Sequence, residues 1–140
     1  MKKIVMILLG IIFVIITGIF IIGKFMPEEE SEDILVYEGS GETENTVDLV
    51  VQGPNQILYL QKIKLIMDHP TVGDVIQAVI SSGEGVDIKL GENGEIVKIA
   101  DYLSGESGQW VILIDNEKIK ETNVWEIPVE EYQGITFLFE

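Results

Sequence analysis

Aromatic side chains supply most of the recognisable binding chemistry in this chain of 140 residues. Among those outside the apolar amino-terminal run, the candidates for ligand contact are Trp110, Trp125, Tyr102 and Tyr132. Such rings stack on planar ligands and on sugars. Trp110 lies in an apolar run, where a core position is the more frequent role. Trp125 lies in a polar loop, so a ligand contact and a structural role remain equally open.

Asn116 is a further candidate for ligand binding. It follows the apolar run that ends at Ile114, in the short polar segment Asp115–Glu117. Asparagine at such a point also suits turn geometry, because its side chain bonds to nearby backbone and tolerates a left-handed conformation. Turn formation is therefore the first interpretation of Asn116, with ligand contact as the second.

Catalytic chemistry finds little support in the residue types. The chain has no cysteine and no arginine. Its serines cluster in Gly-rich loops such as Gly105–Gly108, which lacks the strand–turn–helix setting of a hydrolase nucleophile. The single histidine, His69, has no partners for a triad or a metal site. No calcium-binding loop motif occurs. We therefore expect no enzyme activity, no metal site and no required cofactor.

The charge balance narrows the classes of partner. The formal net charge is −15, and all 24 acidic residues follow the apolar amino-terminal run. Residues 25–140 have six lysines: Lys62, Lys64, Lys89, Lys98, Lys118 and Lys120. A surface of this kind offers no cationic patch that would displace counterions from a nucleic acid. We expect no nucleic-acid partner.

The amino terminus has the pattern of a membrane anchor. Residues 4–23 contain no charge, and a helix of that length covers about 30 Å, the hydrocarbon thickness of a bilayer. Lys2 and Lys3 precede the run and acidic residues follow it, which predicts a single pass with the amino terminus in the cytoplasm and an extracellular carboxy-terminal part. A cleaved signal peptide is the alternative, but no small-x-small site follows the run.

Three regions follow from these patterns: a transmembrane signal anchor at 1–24, an acidic flexible tether at 25–45 and a folded domain at 46–140. The tether is rich in Glu, Ser and Gly. Its one apolar patch, residues 34–37, could form an edge strand or pack against the domain.

The domain shows many strand signals and one clear helix. Alternating residues from Thr46 predict a strand, and the run from Ile57 to Met67 predicts a second. Thr71 with Asp74 forms a near capping box before an apolar stripe, and Gly83 suits the end of that helix. Later strands include one around Trp110, predicted to be central. One helix among some seven strands predicts an α+β fold, with a curved sheet on a single helix as in a β-grasp.

Three stretches of the domain resemble the transcobalamin-like carboxy-terminal domain family, which includes bacterial membrane-anchored members. They are residues 71–76 (TVGDVI), residues 94–99 (GEIVKI), and the ending that runs from Gln109–Trp110 through Asp115–Asn116 and 127–129 to 134–137. The resemblance covers about residues 46–140. It departs from the family pattern at Glu117, at Gln133–Gly134 and at Val111–Ile112, which puts the ligand-facing rim in doubt.

The resemblance implies cobalamin or a similar small molecule as ligand. In the cobalamin carriers of this family the ligand lies between this domain and a large helical barrel, and this sequence has no room for the barrel. A partner protein would have to supply the other half of the site. Two functions remain open: an extracytoplasmic module that binds a small ligand, and an adhesive or protein-interaction module of the cell envelope without one.

Overall fold

Nine strands and one α-helix make up residues 33–140, the part of the chain that the computed structural model describes. In chain order the strands are β1 (Ile34–Glu38), β2 (Glu44–Gln52), β3 (Ile57–Ile66), β4 (Ile88–Leu90), β5 (Ile96–Ile99), β6 (Tyr102–Leu103), β7 (Trp110–Ile114), β8 (Glu117–Lys118) and β9 (Gly134–Phe139). Helix α1 spans Val72–Ser82, and a 3₁₀ turn spans Val124–Glu126.

The predicted strand from Thr46 is confirmed as β2, and its alternation decides which face is buried. Val47, Leu49 and Val51 are fully buried, while the residues between them lie on the outer face. This period of two is the signature of a strand with one face in the core. The inward face of β9, including Phe137, packs into the same core.

Six strands form a mixed sheet in the order β1-β3-β2-β9-β7-β8. β2 pairs with β3 in antiparallel and with β9 in parallel orientation, so the middle of the sheet joins distant parts of the chain. β7 lies between β9 and β8, one strand from the edge, which corrects its predicted central position. β4, β5 and β6 form a separate three-stranded sheet.

The predicted α+β class, with a β-grasp-like sheet on one helix, is wrong for the described residues. They are mostly β-structure, in two sheets, with α1 as the one α-helix among residues 33–140. The strands β4–β6 pair only with one another, so no single curved sheet wraps the helix. α1 packs against β1, β3 and the 3₁₀ turn, at one end of the large sheet.

The ends of α1 follow the predicted signals. Thr71 and Asp74 form a reciprocal capping box, in which the Asp74 carboxylate accepts the Thr71 backbone N–H at 2.8 Å. Gly83 follows the last turn with φ of 67°, the left-handed conformation that glycine adopts without a steric penalty. Both predictions for this helix are confirmed.

The apolar patch of the predicted tether forms the edge strand β1, which pairs in parallel with β3. Both alternatives for this patch hold: it is an edge strand of the compact unit Asp33–Glu140, and its Leu35 and Tyr37 pack against the core. The predicted anchor at 1–24 lies outside the described residues. Within residues 33–140, no helix has the length and apolar character needed to cross a membrane. The extracellular location stays a prediction.

Substitution of Gly83 by alanine tests the helix end. A Cβ at this position meets no atom within 4 Å, so the cost comes from the left-handed backbone alone. We expect a loss of about 1 kcal/mol in the free energy of unfolding, measured by urea denaturation. Ser81→Ala, on the exposed surface of the same turn, serves as control and should change stability by less than about 0.5 kcal/mol. Equal stability of Gly83→Ala and wild type would contradict the left-handed conformation of Gly83 at the helix end.

Candidate functional site

A cleft of about 420 Å³ opens along the edge of β7 and is the candidate binding site. This volume lies in the range of pockets that hold small organic ligands. Its apolar walls come from two strands and the segment after β8: Ile96, Trp110, Val111, Ile112 and Ile119. Its rim carries charged and polar side chains from Glu95, Gln109, Lys118, Lys120, Glu121 and Thr122.

The cleft exists because β8 is too short to cover β7. β8 pairs with only Leu113 and Ile114, and one further bond runs from Ile119 N–H to Ile112 C=O at 2.9 Å. The chain then turns away as the segment 119–122. The first part of the β7 edge, at Trp110–Ile112, therefore faces the cleft instead of a neighbouring strand.

The backbone at this edge carries unpaired groups. Gln109 and Glu140 exchange both backbone hydrogen bonds, at 2.7 and 3.0 Å. Along an antiparallel ladder, pairs that exchange hydrogen bonds alternate with pairs that do not. The N–H and C=O groups of Trp110 and Ile112 therefore point away from β9. The Trp110 N–H donates to Ser104 Oγ at 3.3 Å. Within residues 33–140, the Ile112 N–H and the Trp110 C=O have no backbone or side-chain partner in the hydrogen-bond network.

The charged rim is asymmetric in what it can offer a ligand. The Glu95 carboxylate accepts the Asn93 N–H at 3.1 Å. The Glu121 carboxylate accepts the backbone N–H groups of Thr122 and Asn123, both at 2.9 Å. Both acids of the rim are thus engaged by backbone donors. A rim lysine without a carboxylate partner is therefore the more available charged group for a ligand.

The two rim lysines differ in their partners. Lys118 forms an ion pair with Glu140. Lys120 is exposed and has no carboxylate partner within the described part of the chain. Its ammonium group can therefore donate to an oxygen acceptor on a bound molecule without breaking an existing pair.

Two of the predicted site residues meet in the structure. Tyr102 and Trp110 have ring centroids 6.4 Å apart in an edge-to-face arrangement, and Phe139 completes the cluster at 5.2 Å from Trp110. The Trp110 indole N–H donates to the Tyr102 C=O at 2.8 Å. Trp110 is buried, as the core interpretation predicts, and it also lines the cleft.

Trp125 lies away from the cleft walls and packs on α1. Its ring occupies the space beside Gly73, where a Cβ would meet Cε3 at 2.2 Å, and it also approaches Gly94. The Trp125 N–H donates to Asn123 Oδ1 at 3.1 Å. The residue is 46 % exposed, so part of the indole faces solvent and part holds the 3₁₀ turn against the helix.

Asn116 and Tyr132 also lie outside the cleft walls. Asp115 and Asn116 have φ of 50° and 69°, as a two-residue hairpin turn requires, so Asn116 has the geometry of the turn interpretation. Tyr132 is 82 % exposed, with φ of 62°, and its N–H donates to the Thr46 C=O at 2.8 Å. The structure therefore does not join the four aromatic residues into one platform.

The segment 118–122 is the part of the site that the sequence reasoning missed. It has no regular periodicity, and its contribution depends on where the chain leaves β8. The available signal was the charge pattern, because Lys118 and Lys120 are two of the few cations in a strongly acidic chain.

Titratable groups elsewhere have structural roles. A hydrogen bond from the Thr43 hydroxyl, at 2.6 Å, lowers the pKa of Asp68 and ties the β1–β2 connection to the end of β3. Burial, and secondarily the charge of Glu84, raises the pKa of Tyr59. Within residues 33–140, no three His, Asp or Glu side chains lie close enough to hold a metal ion.

The chain is similar to known proteins in three-dimensional structure and not in sequence. No protein-family model and no curated protein sequence matches the chain. Haptocorrin in complex with Cbi (cobinamide) aligns with a TM-score of 0.57 and 12 % identity, over 73 % of this chain and 26 % of haptocorrin. A candidate metal-binding protein from Ruminococcus gnavus ATCC 29149 aligns with a TM-score of 0.49 and 19 % identity, over 69 % of this chain and 96 % of that protein.

The likeness to haptocorrin concerns the fold. This chain spans about a quarter of the length of haptocorrin, and it shares the fold of that part. The predicted relation to the transcobalamin-like family is supported to this extent, at the level of architecture.

The contact between Trp125 and Gly73 can be tested by Gly73→Ala. The added methyl group would collide with the indole, so we expect the ring to move into solvent and its fluorescence to become more accessible to iodide. The free energy of unfolding should fall by about 1–3 kcal/mol. Gly134→Ala is the control, because its Cβ would meet no atom closer than 3.7 Å. Unchanged iodide quenching in Gly73→Ala would refute this packing.

Proposed function

We propose that residues 33–140 form a binding module for a small organic ligand, which occupies the cleft beside β7. The observation that carries this proposal is the open strand edge above an apolar floor. The Ile112 N–H and the Trp110 C=O supply one donor and one acceptor, and the walls supply apolar contact. A ligand with a flat apolar body and amide groups at its periphery would satisfy both features.

Corrinoids are the ligand class that we place first. A corrinoid has a rigid macrocycle with carboxamide side chains, and a carboxamide can pair with both free backbone groups of β7 at once. Lys120 can donate to a further amide oxygen at the rim. The shared fold with haptocorrin, whose structure contains Cbi, supports this choice, as does the resemblance to the transcobalamin-like family.

The size of the cleft fits part of such a ligand. A corrinoid is larger than a cleft of about 420 Å³, so one edge of the macrocycle would enter and the opposite face would stay uncovered. We therefore propose that a separate partner protein covers the ligand, with this chain supplying one side of a shared site. Contact on one face alone limits affinity, because less of the ligand surface is buried.

Occlusion of the cleft tests the proposed site. Ile119→Trp would fill the space beside Trp110, and we expect it to weaken cobinamide binding by at least about tenfold, measured on the full chain by equilibrium dialysis with corrin absorption. Ile57→Trp adds the same side chain at an exposed position of β3 outside the cleft and should leave binding unchanged.

Two results would contradict the proposal. The absence of saturable cobinamide binding at high micromolar ligand would exclude this ligand class for the chain alone. Equal loss of binding in Ile119→Trp and Ile57→Trp would place the site elsewhere. Circular dichroism of both variants should match wild type, which separates occlusion of the cleft from loss of the fold.

A further inference from the structure

The outer edge of β1 is a second open strand edge, separate from the β7 cleft. β1 is the first strand of the six-stranded sheet, and no other strand within residues 33–140 pairs with its outer side. β1 pairs with β3 in unbroken register from Ile34 to Glu38. A regular edge of this kind presents a row of free backbone groups to solvent.

The hydrogen-bond pattern shows which residues of β1 are free. The Gly39 N–H donates to the Ile66 C=O at 3.0 Å, so the alternation along a parallel ladder directs Leu35 and Tyr37 toward β3 as well. The N–H and C=O groups of Ile34, Val36 and Glu38 therefore point outward. They form three pairs of donor and acceptor, spaced by about 7 Å along the strand.

The side chains of the same residues make this edge unusual. Ile34 is 44 % exposed and Val36 is 52 % exposed, both on the outer face. Protected edge strands usually carry an inward-pointing charge, a lysine, a proline or a bulge, and β1 has none of these. Glu38 is its one charged residue.

Carboxylates lie at both ends of this edge. Asp33 immediately precedes β1, and Glu38 ends it about 17 Å further along the strand. Asp33 and Glu84 also line a groove of about 320 Å³ beside the start of β1, together with Ile34, Leu35 and Gly85. A groove of this volume has room for one long side chain, and the two carboxylates favour a cation in it.

We propose that this edge binds an extended, basic segment of another polypeptide, which adds to the sheet as a seventh strand. Three backbone pairs of β1 supply the hydrogen bonds, and Ile34 and Val36 supply apolar contact with alternate side chains. A Lys or Arg of the segment enters the groove between Asp33 and Glu84, and a second, about five residues away, reaches Glu38. A basic segment is favoured over a second copy, because two chains that each carry a net charge of −15 repel one another.

The test uses the full chain and a defined probe, acetyl-KVTVTK-amide, followed by residue-resolved hydrogen exchange. In the free chain we expect fast exchange at Ile34, Val36 and Glu38 and slow exchange at Leu35 and Tyr37. The peptide should slow the first three amides and leave the other two unchanged. The acidic analogue acetyl-EVTVTE-amide should not bind.

Val36→Pro provides the matched variant. It removes an outward N–H without touching a bond to β3, so we expect peptide affinity to fall at least about fivefold while β1 stays paired. Val36→Thr keeps the N–H and should bind. The wild-type chain with the peptide N-methylated at its bonding positions repeats the test without any change to the protein.

Three outcomes would overturn the proposal. Slow exchange of Ile34, Val36 and Glu38 that depends on protein concentration would identify a second copy as the occupant. Slow exchange of these amides at every concentration would mean that the chain itself covers the edge. Equal binding of the basic and acidic peptides, or of the N-methylated peptide, would exclude recognition by strand addition and charge. None of these outcomes depends on the β7 cleft.

Discussion

The parallel pairing of β2 with β9 is the constraint on which the rest of this structure depends. It joins a strand near the start of the folded unit to the strand at its end, with Leu49 opposite Ile135 and Val51 opposite Phe137. These side chains are fully buried and fill the centre of the core. β7 pairs with β9, so the β7–β8 hairpin joins the large sheet through β9.

A second set of contacts holds the carboxy-terminal half of the domain in place, at the start of α1. The Val72 N–H donates to the Ile127 C=O and the Val129 N–H to the Pro70 C=O, both at 2.9 Å. These bonds hold the segment after the 3₁₀ turn against the residues that precede the helix. Trp125 closes the same junction by packing over Gly73, where only glycine leaves room for the indole. The resulting frame determines where the segment 119–122 leaves the sheet.

Both proposed binding surfaces are places where strand pairing stops. At β7 the neighbouring strand ends after two residues, which leaves backbone groups above an apolar cleft. At β1 no described strand follows at all. Backbone N–H and C=O groups are obligatory hydrogen-bonding groups, so an unpaired edge is either solvated or available to a partner. The two edges differ in surroundings: apolar walls with a free lysine at β7, and carboxylates beside exposed aliphatic side chains at β1.

Local patterns in the sequence determined much of the secondary structure. The capping residues Thr71 and Asp74, the terminal Gly83 and the alternation of β2 act within a few residues, and each has the predicted outcome. The order of the strands could not be derived in this way. Pairing joins residues that are far apart in sequence, such as Asp48 and Gly134, and periodicity identifies a strand without identifying its neighbour. The fold class was wrong for this reason.

The candidate site likewise has features that the sequence predicted and features that only the tertiary structure shows. Residue type alone gave Trp110 a core position, and turn chemistry gave Asn116 its place in a hairpin. The cleft itself depends on the point at which β8 ends, and Lys120 borders it only because the chain turns there. The position of Trp125 over Gly73 likewise depends on packing between distant segments. The sequence by itself determined the residue types, the helix ends and the strand faces. Only the tertiary structure decided which edges stay open, because that depends on which strands find partners.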